Sequence, residues 1–436
     1  MKEQYILLRN RNAFESGTYH PLEPTEYRAT GGFDGLERAL NMSADAVIEE
    51  VRTSGLRGRG GAGFPTWRKF TFCVGDKGDG VKYVVCNADE GEPGTNKDRE
   101  LLTVDPCAVF EGMAIAAKAI DAHFGYIYLR AEYSFMRDDL RTVMERCREQ
   151  GFLGKNILGS GFDFDIDLRM GNGAYVCGEE TALFESLEGK RGEPRLRPPY
   201  PGDSGLFGKP TLLNNVETLC NLPAIFRMGA EQYKQIGVPG STGTKLFTVS
   251  GNVRRRGVFE FPMGINLKEL VYDFCGGVPE GQKLLGVQTG GASGAIINAS
   301  QVDISLDIDH VSTSGGRLAC GTIMVYSDRN CIVDILCNNL DFFREESCGK
   351  CTPCREGGTQ LYHMIRRISE GEGEMRDLRN IEEVCNLMCA TSRCSLGTST
   401  TMPIMSCLRN FRPELISHID GDECPVCKLK GGKSRG

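Results

Sequence analysis

The first half of the chain alternates short apolar runs with longer amphipathic stretches. Residues 82–86, 125–129 and 174–177 are runs rich in valine, tyrosine and isoleucine, a pattern typical of buried strands. Residues 106–122 predict a helix between the first two of these strands, and residues 43–51 predict an earlier helix with a serine N-cap. Strands that alternate with helices predict an α/β layer fold with a mainly parallel sheet.

The pattern changes after residue 243. Residues 245–253 and 257–262 predict a β-hairpin, followed by a short helix at 267–274 and further short strands. From residue 334 onward the apolar positions recur with helical spacing. The predicted helices cover residues 334–344, 355–368, 375–387 and 400–416. They bracket a group of cysteines, which indicates a four-helix bundle around a metal centre.

The domain organisation follows from these changes of pattern. We predict an α/β domain at residues 1–240, a small α+β module at 243–330, a helical metal-binding domain at 331–416, and a tail containing cysteine and histidine at 417–436. A chain of 436 residues, of which 40% are hydrophobic, is long enough to form several separate cores.

Composition narrows the class of protein. The net charge of −7 argues against nucleic acid as a main partner. No apolar stretch reaches the roughly 18–20 residues that span a bilayer, and the N-terminus does not resemble a signal peptide. The chain has 19 cysteines, several at CxxC spacing, which indicates reduced thiols and metal binding rather than disulfides. We therefore expect a cytoplasmic protein without membrane insertion.

The strongest chemical signal is a CxxCxxC run. Cys348, Cys351 and Cys354 place three thiolates around one turn. Cys394 supplies a fourth thiolate further along the chain. Four thiolates are the usual ligands of a [4Fe–4S] cluster. Zinc also accepts four thiolates, but its sites usually pair two CxxC units, so the three-plus-one arrangement favours the cluster.

The last part of the chain holds a second group of metal-ligating residues. Its members, which offer one imidazole and three thiolates, are Cys385, His418, Cys424 and Cys427. This set suits tetrahedral zinc. Two alternatives stay open: a second iron–sulfur cluster that includes Cys389, or free thiols in a frayed tail. The remaining cysteines, Cys331 among them, are scattered and are predicted to be small buried hydrophobic residues.

Residues 58–63 match the GxGxxG pattern. A dinucleotide-binding loop of this type follows a strand and opens a helix, whereas here a predicted helix precedes the loop and Pro65 follows it. The ordinary Rossmann interpretation therefore fails. The glycines still allow close approach of a ligand, with backbone N–H groups available to a phosphate. The alternative is a plain flexible loop.

Acidic side chains follow two of the predicted strands. After the first strand come Asn87, Asp89, Glu90 and Glu92, and after the third come Glu179 and Glu180. Binding sites of α/β sheets form at the carboxyl ends of strands. Carboxylates suit hydroxyl and ring N–H donors rather than phosphates. For Glu179 and Glu180 the alternative is capping of the helix that starts there.

Five motifs, in order along the chain, resemble one family. They are GRGGAGFPT (58–66), CNADEGEPGT (86–95), GAYVCGEETAL (173–183), GKPTLLNNVET (208–218) and CGKCTPC (348–354) with Cys394. Together they are similar to the NADH-binding flavoprotein subunit of respiratory complex I, and to the related diaphorase subunits of hydrogenases and formate dehydrogenases. The resemblance covers residues 30–415.

The resemblance implies FMN in the first domain and NADH as the hydride donor. The implied FMN contacts are Gly58, Gly60, Lys69, Asn87, Asp89, Tyr175, Gly178, Glu179, Asn214, Asn215 and Thr218. The implied NADH contacts are Phe64, Phe72, Glu90, Glu92, Glu180, Arg197 and Tyr200. Carboxylates at the ribose would repel a 2′-phosphate, which favours NADH over NADPH. Hydride transfer to a flavin needs no general base, so no catalytic side chain is predicted.

The resemblance also implies the rest of the electron path. The middle module would be a ubiquitin-like, soluble-ligand-binding β-grasp, and the helical domain would take single electrons onto its [4Fe–4S] cluster. The expected partners are a thioredoxin-like [2Fe–2S] subunit and a further redox catalytic subunit of a soluble hydrogenase or formate dehydrogenase complex. The tail resembles that of electron-bifurcating enzymes, so bifurcation is a hypothesis. The alternatives are the NADH-oxidising subunit of respiratory complex I and a non-catalytic ligand-binding or scaffold protein.

Overall fold

The computed structural model describes residues 3–75, 77–313, 316–421, 424 and 426. Within these residues the chain forms two compact units. The first comprises the residues up to Gly91, then Thr95–Phe247 and Val258–Gly264. The second comprises Glu92–Gly94, Thr248–Gly257 and the residues from Ile265 onward.

The first unit contains helices and a parallel sheet. Its helices are α1 (Arg11–Glu15), α2 (Pro24–Ala29), α3 (Asp34–Leu40), α4 (Ala44–Ser54), α5 (Thr66–Cys73), α6 (Lys97–Val104), α7 (Pro106–Ile120), α8 (Arg137–Glu149), α9 (Glu180–Leu187), α10 (Pro201–Ser204), α11 (Val216–Met228) and α12 (Ala230–Lys234). Its strands are β1 (Tyr83–Ala88), β2 (Phe124–Leu129), β3 (Asp165–Met170) and β4 (Thr211–Asn215), followed by a short ribbon of β5 (Gly237–Val238) and β6 (Ser241–Thr242). The sheet has the order β3-β2-β1-β4 with every pairing parallel, which confirms the predicted α/β fold.

The core of the first unit is centred on α7, which packs against α3 and α11. Nearly all of its side chains are buried, among them Val109, Phe110 and Met113. Pro106 lies in the first turn, where a missing N–H breaks no helical hydrogen bond. Asp121 ends the helix in the left-handed conformation. The helix predicted at residues 106–122 is thus confirmed.

The strand predicted at residues 174–177 is wrong. The structure has a 3₁₀ turn at Tyr175–Gly178, which leads directly into α9. The third and fourth strands are instead β3 and β4. Residues of β3 alternate between half-buried and buried positions, so its sequence lacks the continuous apolar run that marks β1 and β2. A strand with one covered face carries polar residues on the other, and that alternation was missed.

The second sheet has five strands. They are β7 (Thr244–Gly251), β8 (Gly257–Pro262), β9 (Leu284–Thr289), β10 (Ala295–Asn298) and β11 (Thr322–Ser327), in the order β10-β9-β11-β7-β8. β11 pairs in parallel with β7 and antiparallel with β9. A π-helical segment at Glu269–Phe274 and helix α13 (Ile308–Thr313) accompany the sheet. The hairpin predicted at residues 245–262 is confirmed, since β7 and β8 are neighbours.

The last part of the second unit is helical. Its helices are α14 (Ile332–Glu346), α15 (Thr352–Glu370), α16 (Met375–Thr391), α17 (Ser395–Asn410) and α18 (Arg412–Asp420). The single helix predicted at residues 400–416 is therefore two helices, which meet at Phe411. Pro413 explains the break, because proline has no N–H to donate to an earlier turn. In the part of the chain that the structure describes, none of the helices has the length and apolarity to cross a bilayer.

Candidate flavin, nucleotide and metal sites

The carboxyl edge of the parallel sheet brings two of the predicted motifs together. β1 and β4 are neighbours, and Asn87 lies opposite Asn215 in their register. Asn215 is also the N-cap of α11, where its side chain accepts a hydrogen bond from the Glu217 N–H. The Asn87 side chain donates to the Gly178 carbonyl at 2.9 Å. This hydrogen bond brings the motif at residues 173–183 to the same edge of the sheet. Sites in α/β sheets form at this edge.

The glycine loop lies against the same edge. The Arg59 N–H donates to the Thr218 hydroxyl at 2.9 Å. A Cβ built on Gly60 would lie 2.7 Å from the Cβ of Asn215, so only glycine fits there without displacement. The loop is closed by a hydrogen bond from the Gly58 N–H to the Phe64 carbonyl at 2.9 Å. We call this group of segments the cradle; it comprises residues 58–60, 87–89, 175–178 and 214–218.

The cradle has the donors that a flavin requires. The Asn214 side chain is buried, and its amide nitrogen has no hydrogen-bond partner among the described residues. A buried donor without a partner is costly, so this nitrogen fits a ligand that carries ring acceptors. The Lys69 ammonium reaches the Leu213 carbonyl at 3.1 Å and places a positive charge beside the end of β4. The residues therefore fit FMN, whose ring system accepts hydrogen bonds and whose phosphate is anionic.

Glu179 and Glu180 form a charged border of the cradle. One carboxylate oxygen of Glu179 accepts from the Thr181 and Ala182 N–H groups, each at 2.9 Å, which confirms the capping interpretation for this residue. Its other oxygen bonds the Arg197 guanidinium. Glu180 pairs with Arg197 at 3.0 Å and with Lys69 at 3.3 Å. Arg197 thus bridges both carboxylates.

Exposed aromatic rings lie in the same unit. Phe64 and Phe72 are 39% and 49% exposed, and their ring centroids are 6.3 Å apart at a 42° tilt. A Cβ on Gly202 would lie 2.6 Å from the Phe72 Cβ, so the segment after Tyr200 packs closely on the Phe72 backbone and Cβ. Tyr200 itself is 55% exposed. Large apolar rings left in contact with water mark a binding surface, here one suited to a flat base.

Glu90 and Glu92 both accept hydrogen bonds from backbone N–H groups. Glu90 is 5% exposed, and its carboxylate accepts from the Asp98 and Arg99 N–H groups and from the Tyr133 hydroxyl, at 2.8, 3.1 and 2.8 Å. Burial and the nearby Asp98 raise the pKa of Glu90 to about 7. Glu90 thus accepts from two N–H groups in the first turn of α6, and its contact with NADH stays a prediction. Glu92 belongs to the second unit, where it accepts from the Ser293 N–H at 2.8 Å.

The four thiols predicted for the iron–sulfur cluster come together in the second unit. The pKa of the Cys354 thiol is raised to about 11, mainly by burial and also by the nearby Cys351, Cys394 and Cys348 thiols, against a lowering by its hydrogen bond with Ser347. Cys351 and Cys394 are the N-caps of α15 and α17. The positive ends of these helices favour the net negative charge of a thiolate-bound cluster. The donor set and its setting therefore fit [4Fe–4S].

A second group of metal ligands is assembled from three distant segments. The ligand atoms of Cys331, His418 and Cys424 lie within 4.8 Å of one another, with the Cys331 sulfur 3.3 Å from His418 Nε2. His418 Nδ1 lies 2.8 Å from the Glu414 carbonyl oxygen, which favours the tautomer that leaves Nε2 available to a metal. Among the described residues, Cys385 is not part of this group. Cys427 lies outside the described residues.

Cys331 was therefore missed by sequence reasoning. It precedes α14 directly and is buried, so it resembled an ordinary core cysteine. No spacing pattern links it to His418. The available signal was its position three residues before the helix predicted at 334–344.

The fold and sites define an iron–sulfur flavoprotein. Residues 51–224 match the Nuo51 FMN-binding domain, 245–315 the SLBB domain, and 334–418 the NADH-ubiquinone oxidoreductase-F iron-sulfur binding region. The chain is 44% identical over 425 residues to NADP-reducing hydrogenase subunit HndC of Solidesulfovibrio fructosivorans, covering 98% of this chain and 86% of that protein. It is 44% identical over 421 residues to an NADH-quinone oxidoreductase subunit of Rhizobium meliloti, covering 96% and 99%.

Comparison with a solved structure supports the same family. A chain of the air-oxidized NAD+-reducing [NiFe]-hydrogenase superposes with a TM-score of 0.79 at 40% identity, over 86% of this chain. The present chain spans 63% of the length of that solved chain. The protein belongs to the family defined by the Nuo51 FMN-binding domain and the NADH-ubiquinone oxidoreductase iron–sulfur region. It is an FMN-dependent NADH oxidoreductase subunit with a [4Fe–4S] domain, as the motifs predicted.

Proposed function

We propose that the cradle holds FMN and that the exposed aromatic rings hold NADH beside it. The observation that carries this proposal is that the glycine loop contacts Asn215 and Thr218 at the end of β4, next in sequence to the Asn214 amide, which has no partner among the described residues. When bound, FMN supplies the chemistry that side chains lack, since it accepts a hydride and releases electrons one at a time. Asn214 and Asn215 orient the ring, the glycine loop admits the phosphate, and Phe64 and Phe72 stack on the adenine.

NADH is expected to bleach the flavin absorbance of the purified full chain at least roughly tenfold faster than NADPH does. The reason is the Glu180 carboxylate, which would repel a 2′-phosphate and is only partly neutralised by Arg197 and Lys69. Anaerobic stopped-flow spectroscopy at equal nucleotide concentrations measures both rates.

The variant Glu180→Gln should reduce this preference for NADH by about tenfold, because it removes the repelling charge. Glu185→Gln is the matched control, since it removes a carboxylate from the same helix that pairs with Arg195 instead. A protein that responds to neither nucleotide would refute the proposed site. Equal loss of preference in both variants would refute the role of Glu180 alone.

We infer that Cys331, His418 and Cys424 bind zinc. One imidazole and two thiolates within 4.8 Å form three corners of a tetrahedral site, and the adjacent Glu414 carbonyl orients the imidazole. Cys427 is the proposed fourth ligand from its spacing after Cys424. Iron–sulfur ligation is less suited to this group, because its clusters rarely take histidine in place of cysteine.

The variant Cys331→Ala should lose at least roughly nine-tenths of the bound zinc after dialysis against a chelator, because a three-ligand site holds zinc far more weakly. Inductively coupled plasma mass spectrometry gives the zinc-to-protein ratio. Cys385→Ala is the control, since Cys385 is buried in α16 and should leave zinc unchanged. Zinc loss in Cys385→Ala with retention in Cys331→Ala would reverse the assignment.

We further propose that electrons leave this chain through a thioredoxin-like [2Fe–2S] subunit to a catalytic subunit of a hydrogenase or formate dehydrogenase. The support is the match to HndC, named as a hydrogenase subunit, over 98% of this chain. Electron bifurcation is a hypothesis motivated by the zinc-type tail. It requires that the intact complex reduce NAD+ in a ferredoxin-dependent reaction, and lack of that reaction would exclude it.

A respiratory role is the second candidate. It is favoured by 44% identity to the NADH-quinone oxidoreductase subunit of Rhizobium meliloti over 99% of that protein. Affinity purification of the chain from its own cells separates the two candidates. Co-purification with a hydrogenase or formate dehydrogenase subunit supports the first, and co-purification with membrane subunits supports the second.

A further inference from the structure

Six charged side chains form a buried network in the first unit. Its cations are Arg59, Lys97 and Lys245, and its carboxylates are Glu90, Asp98 and Glu217. Each of the six residues is at most 5% exposed. Removing this many ionised groups from water is unfavourable, and well-packed apolar residues usually stabilise a fold equally well. The network therefore calls for a functional explanation.

Lys97 is the cation of the network that bonds the Asn215 side chain. Its ammonium lies 2.6 Å from Asp98 Oδ1, 3.0 Å from Glu217 Oε2 and 3.1 Å from the Asn215 side-chain oxygen. The Asn215 amide nitrogen in turn donates to Asp98 Oδ2 at 2.6 Å. Both ends of the Asn215 side chain are thus held by charged partners. An amide fixed in this way presents one defined face to a ligand.

The ionisation state of the network is fixed by its own contacts. Burial lowers the pKa of the Lys97 ammonium, but Asp98, Glu217 and Glu90 raise it by more, so Lys97 stays charged. Burial likewise opposes ionisation of Glu217, and Lys245, Lys97 and Arg59 more than offset it, so the pKa of Glu217 lies below its ordinary value. A permanent positive charge therefore lies directly behind Asn215.

The network also ties the glycine loop to the end of β4. The Lys245 ammonium donates to the Arg59 carbonyl at 3.0 Å and to Glu217 at 3.2 Å. The Arg59 guanidinium donates to the Thr242 carbonyl at 2.6 Å. Lys245 is thus bonded to the loop, whereas Lys97 is bonded to Asn215. These two buried lysines share Glu217 and provide a matched pair for mutation.

We propose that Lys97 is a positioning residue for the flavin: it fixes the Asn215 amide and, as a buried cation behind it, favours the reduced flavin over the oxidised one. This inference rests on the proposed contact between Asn215 and FMN. Reduction by hydride adds negative charge to a flavin, and a nearby buried cation stabilises that charge, although the ion pairs of Lys97 with Asp98 and Glu217 reduce the effect. Lys97 itself touches no reacting atom in this proposal.

The test is a spectroelectrochemical titration of the flavin in the purified full chain with its co-purifying partners. Lys97→Gln should weaken binding of reduced FMN by about tenfold relative to oxidised FMN, the effect of one buried charge at short range. For a two-electron couple this ratio equals a fall of about 30 mV in midpoint potential. Lys245→Gln should change the ratio by less than about threefold, because its bonds are to the loop and to Glu217.

Three outcomes overturn the proposal. The first is an unchanged potential in Lys97→Gln together with equal weakening of both FMN forms, which would show a purely structural role. The second is an equal shift in the two lysine variants. The third is normal FMN binding in Asn215→Ala, which would instead refute the contact on which the inference rests. If Lys97→Gln does not fold, Lys97→Met removes the same charge with a side chain of similar length, leaves Asp98 bonded to Asn215, and carries the same titration.

Discussion

The variant Cys354→Ala is expected to lose the [4Fe–4S] cluster while keeping its FMN. Cys354 is the most buried of the four thiols, and it lies where α15 begins, with the other three thiols around it. Three thiolates do not hold a cubane stably, so the iron content should fall at least roughly tenfold. Electron transfer from NADH to the partner subunits should fall by at least about 100-fold, since the flavin then has no single-electron outlet.

Iron and sulfide analysis and low-temperature electron paramagnetic resonance measure the cluster, and NADH-dependent flavin bleaching measures the first unit. Cys407→Ala is the matched control, because Cys407 is a fully buried thiol of α17 outside the group of four. It should keep its iron. A Cys354→Ala protein with a full complement of iron and sulfide would contradict the assignment of this ligand.

The second large effect is expected at the glycine loop. Gly60→Ala should weaken FMN binding by roughly 10- to 100-fold, the consequence of about 1–3 kcal/mol of overpacking. The added methyl group would lie 2.7 Å from the Asn215 Cβ. Asn215 cannot move aside cheaply, because Lys97 and Asp98 hold both ends of its amide. The backbone of the glycine loop would therefore have to shift, and this shift would change the shape of the cradle.

Gly61→Ala is the control for this prediction. A Cβ at Gly61 meets nothing within 4 Å, although it belongs to the same loop. Neither glycine has a positive φ, so backbone strain does not enter the comparison. Quenching of FMN fluorescence by the flavin-free protein gives both dissociation constants. Similar weakening in the two variants would indicate a general effect on loop flexibility and would contradict the steric explanation.

Most of the fold could be predicted from local patterns. The apolar runs of β1 and β2, the serine cap of α4 and the proline start of α7 are signals that lie within a few residues of one another. The two strand predictions that failed also depended on local sequence patterns. β3 alternates in burial and so lacks a continuous apolar run, and residues 174–177 form a turn despite their apolar character.

The sites were predicted unevenly. The CxxCxxC run and the flavin motifs could be found because each consists of a few residues that are close together in the sequence. Cys331 was missed, and Cys385 was chosen in its place, because the partner of His418 comes from a segment far away in sequence. The resemblance implies that Glu90 contacts NADH, and only the structure shows that its carboxylate also bonds the first turn of α6.

The sequence by itself determined the class of this protein: an α/β flavin domain, a thiolate cluster and an NADH-oxidising family. The α/β pattern and the thiolate cluster follow from residue types at short, fixed spacings, whereas flavin and NADH are implied by the resemblance of five motifs to one family. Only the tertiary structure decided that Lys97 lies behind Asn215, that Cys331 meets His418, and that the Asn214 amide is left without a partner among the described residues. Such contacts arise when separate elements pack, and the side chain that fills a given position in a packed core is set by the shape of its surroundings rather than by its place in the chain.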